Sequence, residues 1–317
     1  MAQVSQPIIR QEQPEHPVLV ITGPTASGKT DIALSLAERI GGEIISADSM
    51  QIYRGMDIGT AKASPAEQKR VPHHLLDILE PGDRYSVADF KAAATAAARD
   101  ILARGKWPIL CGGTGQYLSA MMEGLVFTDT PTDYGLRESL NAEAASQGLA
   151  QLHRRLQQLD PEAAARLAPA DQKRIIRALE VNLQTGKTMG QLNRESRLAG
   201  PDFRYQAYCL CPDRSILYER INQRVQKMFD AGLVDEVRRL LERQVPLDSP
   251  CLQAIGYKEI LPYLRGEASR ENTLAAIQQA TRRYAKRQLT WFRKMPELNW
   301  LINSDRDQNL KIILDEL

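Results

Sequence analysis

The octapeptide Gly23-Pro-Thr-Ala-Ser-Gly-Lys-Thr30 constrains this chain more than any other stretch. It follows a short apolar, β-branched run at residues 18–22. It precedes a helical pattern (Ile32, Leu34, Leu36, Ala37, Ile40) that stops at Gly41-Gly42. Its glycines, lysine and threonine have the spacing of a phosphate-binding loop in the strand–loop–helix setting such a loop requires. Glycines let the backbone curl so that successive N–H groups converge on one anion, backed by the positive end of the following helix. Lys29 adds a point charge, and the Thr30 hydroxyl is placed to help hold Mg²⁺. Gly23, Pro24, Thr25, Ala26, Ser27, Gly28, Lys29 and Thr30 are therefore the candidate anion-binding set. Such a loop specifies a polyphosphate, and kinase, NTPase and diphosphate-using transferase all stay open. No apolar strand ending in a metal-holding Asp is evident; the run at 107–111 leads into Gly112-Gly-Thr-Gly115 instead, which weakens the NTPase reading.

Around this loop the chain alternates strands and helices. Residues 42–48 form a second strand ending in polar groups. An alanine-rich helix over 86–103 has Ser86 as cap and Asp89 at the capping-box position, and a buried strand follows at 107–111. From about 124 to 200 no strand pattern is found, only helical stretches punctuated by Pro131, Pro161 and Pro169. The α/β pattern returns at 205–211, and long helices are expected over 214–243 and 271–294. The expected fold is α/β: a P-loop NTPase-like parallel-sheet core over 18–123 and 203–317, an all-helical insertion over 124–202, and a disordered polar leader over 1–17.

With 43% hydrophobic and 25% charged residues the composition is that of an ordinary globular protein, and no apolar run reaches the length of a bilayer span. The leader lacks the apolar stretch of a signal peptide, so a cytoplasmic protein is expected. Cys111, Cys209, Cys211 and Cys251 are too few and scattered for a disulfide framework and read as buried thiols. His73-His74 is unsuited to hold a metal as a pair, because neighbours in a strand point to opposite sides. A net charge of +2 implies no nucleic-acid partner by itself. Its distribution does: residues 272–296 contain no acid, yet hold Arg282, Arg283, Lys286, Arg287, Arg293 and Lys294. Along the same helix Leu274, Ile277, Thr281, Tyr284, Gln288 and Trp291 form a stripe read as core packing.

Asp48 stands at the carboxyl end of a strand, where ligands gather in a parallel sheet. It is either a turn former or a carboxylate aimed into the crevice of the P-loop. Arg220, Arg224 and Lys227, at helical spacing, read by themselves as a solvated face.

Several long segments resemble the bacterial tRNA dimethylallyltransferase family. They are Gly23-Pro-Thr-Ala-Ser-Gly-Lys-Thr30, Ser46-Ala-Asp-Ser-Met-Gln-Ile-Tyr-Arg-Gly-Met-Asp-Ile-Gly-Thr-Ala-Lys62 and Gly112-Gly-Thr-Gly-Gln-Tyr-Leu118, together with Gln172-Lys-Arg-Ile-Ile176, Ala254-Ile-Gly-Tyr-Lys258 and Lys286-Arg-Gln-Leu-Thr-Trp-Phe-Arg293. They run in family order from about residue 18 to 300. The resemblance implies dimethylallyl diphosphate as donor, Mg²⁺ as cofactor and tRNA as partner through its anticodon stem-loop, with no membrane and a monomeric enzyme. It implies transfer to N6 of the adenine 3′ to the anticodon, in tRNAs reading codons that begin with U. Asp48 becomes the general base, and Lys29, Thr30 and Arg224 the groups acting on the diphosphate. The implied tRNA contacts are Asp48, Ser49, Met50 and Gln51; Thr114; Arg137, Gln172, Lys173, Arg174, Ile175 and Ile176 in the insertion; Gln253, Ala254, Ile255, Gly256, Tyr257 and Lys258; and, on the final helix, Lys286, Arg287, Gln288, Leu289, Thr290, Trp291, Phe292 and Arg293. Eukaryotic relatives add a zinc-finger extension of which no pattern is seen here, so a bacterial-type protein is expected.

Overall fold

The computed structural model describes residues 16–124, 133–197, 200–302 and 305–317. The chain divides into two compact units, one of Met1–Ser119 with Asp202–Leu317, the other of Ala120–Pro201. Most of the leader expected over 1–17 lies outside the described residues, as does Pro131.

The first unit is built on one parallel sheet. Its strands are β1 (Val18–Thr22), β2 (Gly42–Ser46), β3 (His73–His74), β4 (Trp107–Gly112), β5 (Tyr205–Leu210) and β6 (Leu298–Leu301), in the spatial order β3-β2-β4-β1-β5-β6. Central β1 is buried along its whole length, with Val20 opposite Leu110 on one side and Ala207 on the other. An unbroken apolar run suits that position, because helices cover both faces of a parallel sheet. The helices preceding the second unit are α1 (Lys29–Ile40), α2 (Pro65–Arg70) and α3 (Val87–Ala103), and α4 (Gly115–Met122) runs across the boundary into it.

The second unit contains α5 (Tyr134–Gln147), α6 (Leu149–Leu159), α7 (Pro161–Arg166), α8 (Gln172–Thr185) and α9 (Met189–Arg197), and no strand among the described residues. Leu140, Leu152, Leu156, Ile175 and Leu179 meet in its core. At about 1.5–3 kcal/mol for each large aliphatic side chain buried, such packing holds a helical unit together without sheet support.

The chain returns to the first unit through β5 and continues as α10 (Arg214–Asp230), α11 (Leu233–Glu242), α12 (Ile260–Leu264), α13 (Arg270–Phe292) and α14 (Arg306–Asp315). On one sheet face Leu19, Ile21 and Ile109 pack with Ile32 and Leu36 of α1 and with Leu310 and Ile313 of α14. A second apolar cluster joins Ile52, Tyr53 and Met56 to α10, α11 and α13 through Val225, Val237 and Ile277. Among the described residues no helix is long and apolar enough to cross a membrane.

The α3 cap is as expected: Asp89 N donates to Ser86 Oγ at 3.2 Å, and Ser86 N donates to Asp89 Oδ2 at 2.8 Å. The helix expected over 214–243 is in fact two, α10 and α11. Gly232 at φ +96° sets the new direction, a backbone state that costs a side-chain-bearing residue far more. Strand β6 and helix α14 are additions to the expected pattern; a strand of four residues with only its end positions buried offers little periodicity to read.

Candidate active site

The loop between β1 and α1 lies at the carboxyl ends of the strands, beside the turn that follows β2. Two cavities meet there. One, of about 400 Å³, is lined by Thr25, Lys29, Thr30, Asp48, Thr60 and Arg224, among others. The other, of about 530 Å³, lies along residues 26–32 and is flanked by Lys62, Arg220, Arg224 and Arg306. Lys29, Thr30, Ala61, Ala63 and Arg224 line both.

The side along residues 26–32 is electrostatically unfinished. Lys29 keeps part of its surface open to the cleft, yet protein packs so closely around its ammonium that burial lowers its pKa. Arg224 pushes the same way, against Cys111 and Asp48. Lys29 Nζ donates to Pro24 O at 3.4 Å. Burial likewise lowers the pKa of Arg224, opposed by Asp48 and Asp31. Ser27 Oγ is buried and finds no hydrogen-bond partner among the described residues. A buried hydroxyl and two desolvated cations are costly on their own, and an anion would satisfy all three. Among the described residues no three His, Cys, Asp or Glu side chains converge as a metal cluster. A cation at this place would draw on Thr30, water and the anion's own oxygens, the hard donors that suit Mg²⁺.

Asp48 faces the same cavity from the end of β2. Its Oδ1 accepts from Met50 N at 2.9 Å, a short-range turn that fixes the carboxylate, so the turn-former and crevice readings hold together. Thr114, beyond β4, accepts from Ser49 N through Oγ1 at 3.1 Å and donates its own N–H to Ala47 O at 3.2 Å. Gln51 is braced on both sides: Ser46 Oγ donates to its Oε1 at 3.0 Å, and its Nε2 donates to Thr60 O and Ala61 O at 3.3 and 3.4 Å.

The matching family models are IPP transferase, over residues 51–295, and Isopentenyl transferase, over 16–77. The tRNA dimethylallyltransferase of Geobacter metallireducens is 47% identical over 92% of this chain and 94% of that protein. Its counterpart from Geobacter sulfurreducens is 48% identical over 90% and 91%. The chain belongs to the tRNA dimethylallyltransferase family. Among solved structures, the tRNA isopentenylpyrophosphate transferase of Bacillus halodurans superposes with a TM-score of 0.70 at 41% identity, covering 95% of each chain. A eukaryotic dimethylallyltransferase acting on tRNA gives 0.78 at 29% identity, over 90% of this chain and 74% of that one.

Within this member of the dimethylallyltransferase family, most of the sites expected from sequence fall into three groups. Thr25, Lys29, Thr30, Asp48, Ser49, Met50, Gln51, Arg224, Gln253, Ala254, Ile255, Gly256, Lys258, Arg287 and Gln288 come together around one cavity. Arg137, Gln172, Lys173 and Arg174 belong to the helical unit. There Lys173 and Arg174 are exposed, whereas Arg137 is bound to the buried carboxylate of Glu180 at 2.6 Å. The third group requires correction as side-chain contacts to RNA. Ile175, Ile176 and Phe292 are buried at 3% exposure or less and serve as core, while Tyr257, equally buried, is at once core and part of the cavity wall.

Gln288 is corrected too. At 6% exposure its amide ties two loops together, accepting from Thr25 N at 2.9 Å and donating to Gly113 O at 2.8 Å. The stripe read as core on α13 is in large part cavity wall: Ile277, Thr281, Tyr284 and Gln288 line it, and Trp291 is 44% exposed. Sequence reading therefore missed Tyr284 and Thr281, although hydroxyls at that spacing on an otherwise apolar stripe were a signal. Burial raises the pKa of Tyr284, and Asp48 adds to the rise. His73, set aside as packing, also lines this cavity. Its Nδ1 meets Val71 O at 2.8 Å, and burial lowers its pKa.

Proposed function

We propose that this chain, as a cytoplasmic monomer, transfers the dimethylallyl group of dimethylallyl diphosphate to N6 of the adenine 3′ to the anticodon, in tRNAs reading codons that begin with U. One observation carries the reading: the cations Lys29 and Arg224 and the carboxylate of Asp48 line a single cavity. Groups that stabilise a leaving diphosphate and a group that accepts a proton thus face the same reacting atoms.

The target amine is inaccessible in a stacked anticodon loop, so the adenine is flipped into the cavity beside Asp48 and Thr114. As N6 bonds to C1 of the isoprenoid, the C1–O bond breaks and its electron pair leaves with the diphosphate. The N6 proton passes to Asp48, whose Oδ1 is already held by Met50 N, leaving Oδ2 to receive it. Lys29, Arg224 and the N–H groups at the start of α1 neutralise the departing charge. The orphaned Ser27 hydroxyl gains an acceptor in the same anion. Mg²⁺ bound through Thr30 would supply further charge neutralisation at the diphosphate. Ser49 is the side chain assigned to base recognition, because the Gln51 amide is already spent on Ser46, Thr60 and Ala61. The exposed cations Lys286, Arg287 and Arg293 take the phosphate backbone, which supplies most nucleic-acid affinity; Lys173 and Arg174 take the anticodon stem-loop.

The test is incubation of the protein and Mg²⁺ with unmodified tRNA and either labelled dimethylallyl diphosphate or γ-labelled ATP. Label is expected in tRNA only from the isoprenoid. Transfer of phosphate from ATP would overturn the reading in favour of a kinase.

A further inference from the structure

Glu236 lies on α11, outside every motif singled out in the sequence, and is 1% exposed. A carboxylate that deep is costly unless fully hydrogen-bonded, and this one is. Its Oε2 accepts from Asp57 N at 2.9 Å and Ile58 N at 2.8 Å. Its Oε1 accepts from Gly59 N at 3.0 Å and from the Tyr257 hydroxyl at 2.7 Å. Three successive backbone N–H groups converging on one carboxylate fix the path of a loop that has no strand partner. Tyr257 closes the other side: a Cβ on Gly59 would lie 2.5 Å from its ring, so only glycine lets the loop pass. Burial, with Glu236 beside it, raises the Tyr257 pKa and keeps the phenol a donor.

What the clamped loop presents next is the cavity wall. Thr60 O accepts from Arg224 Nη2 at 3.4 Å and from Gln51 Nε2 at 3.3 Å, and Ala61 lines both cavities. We infer that Glu236 is a positioning residue for transfer: by clamping residues 57–59 it sets the Thr60 carbonyl against which the Arg224 guanidinium is aligned for the diphosphate. The inference rests on the proposed role of Arg224. Glu236 touches no reacting atom itself.

In Glu236→Gln the side chain keeps its size but brings an NH₂ against backbone N–H groups, so the loop must shift. A displacement of about 1 Å at a catalytic group costs on the order of a hundredfold. We expect kcat/KM for the donor to fall about ten- to a hundredfold, with a raised donor KM and unchanged tRNA affinity. Combining Glu236→Gln with Arg224→Ala should cost no more than about twofold beyond Arg224→Ala alone, because groups acting through one another are not additive. Tyr257→Phe removes one of the clamp's donors and should give a smaller change of the same kind, so the inference can still be judged if Glu236→Gln fails to fold. Glu242→Gln, on the same helix and away from the clamp, is the control. Multiplicative losses in the double variant, or unchanged donor kinetics in both Tyr257→Phe and a folded Glu236→Gln, would overturn the inference. Failure of the wild-type protein to transfer the isoprenoid would instead overturn the function on which it rests.

Discussion

The two rims of the cavity are built on opposite principles. The rim formed by residues 23–30 is local in sequence apart from the tie of Thr25 N to Gln288, and it is left unsatisfied, with Ser27 Oγ unpartnered among the described residues and Lys29 desolvated. The rim formed by residues 48–62 is saturated and held from far away. Glu236 anchors its middle. Lys62, with only 3% of its side chain exposed, anchors its end, reaching Asp57 at 2.7 Å, Asp77 at 2.5 Å and Tyr53 O at 2.8 Å. The first rim resembles a receptacle whose missing charge a ligand supplies; the second resembles a finished wall against which a base and a guanidinium are set. Perturbations of the two rims should therefore differ in kind.

The largest expected effect is on the finished wall. Asp48→Ala should lower kcat by about 10² to 10⁴, the usual contribution of a general base, while tRNA affinity and donor KM stay within a few-fold. Single-turnover transfer together with tRNA binding measures both. A variant retaining more than about a tenth of wild-type turnover would remove Asp48 from the chemistry.

On the unfinished rim, Lys29→Ala and Arg224→Ala should raise donor KM and lower kcat together. Their charges bind diphosphate more strongly as it departs than before, so ground and transition states lose unequally. A combined loss of about a hundredfold in kcat/KM is expected. A change in KM with kcat intact would mean that the receptacle only binds, and the contrast between the rims would reduce to affinity against chemistry.

The same contrast explains how much was legible in the sequence. The P-loop could be read because one short segment supplies backbone, charge and helix end together, and its strand and helix flank it directly. The alternation of β1, α1 and β2 and the α3 capping box were visible for the same reason: their causes lie within a few residues. For 48–62 the strand-end position of Asp48 left two readings open and resemblance chose between them, while the clamp could not be read at all, because Glu236 is some 180 residues from the loop it holds. Thr281 and Tyr284 were misassigned because a helix stripe that faces a cavity has the same spacing as one that faces a core. Ile175 and Ile176 illustrate the converse error. A motif can be long because its fold demands it, and not every residue in it touches a ligand.

A smaller effect is expected outside both rims, on the exposed face of α13. Arg287 lies at the cavity and over the Tyr284 ring, at 5.5 Å, so replacing it would mix two effects. Lys286 and Arg293, seven residues apart and exposed, are the cleaner pair. Replacing both with Ala should weaken all tRNAs alike, since phosphate contacts carry no sequence information. It should also reduce the slope of log affinity against log salt by about 0.7–0.9 for each phosphate no longer neutralised. An unchanged slope would mean that this face is only solvated, and the helical unit would be the next candidate footprint.

The smallest expected effect isolates the unfinished rim in the absence of any substrate. Burial holds the Lys29 pKa below its value in the unfolded chain, so between the folded and unfolded pKa values the unfolded state binds more protons. In the ligand-free protein this group therefore opposes folding most strongly when fully charged, below its folded pKa. Its contribution to stability improves as pH rises through that window. Lys29→Met removes the desolvated charge and keeps the bulk, so it should stabilise the empty protein at neutral pH and flatten this part of the pH dependence. Diphosphate should reverse the order: it supplies the missing counter-charge to wild type, raises the Lys29 pKa, and leaves the variant without that gain. Denaturant midpoints for both proteins at several pH values, with and without inorganic diphosphate, give the comparison. A Lys29→Met protein less stable than wild type when empty would show that the ammonium is already satisfied in the free enzyme, and the difference between the two rims would then lie in sequence distance alone.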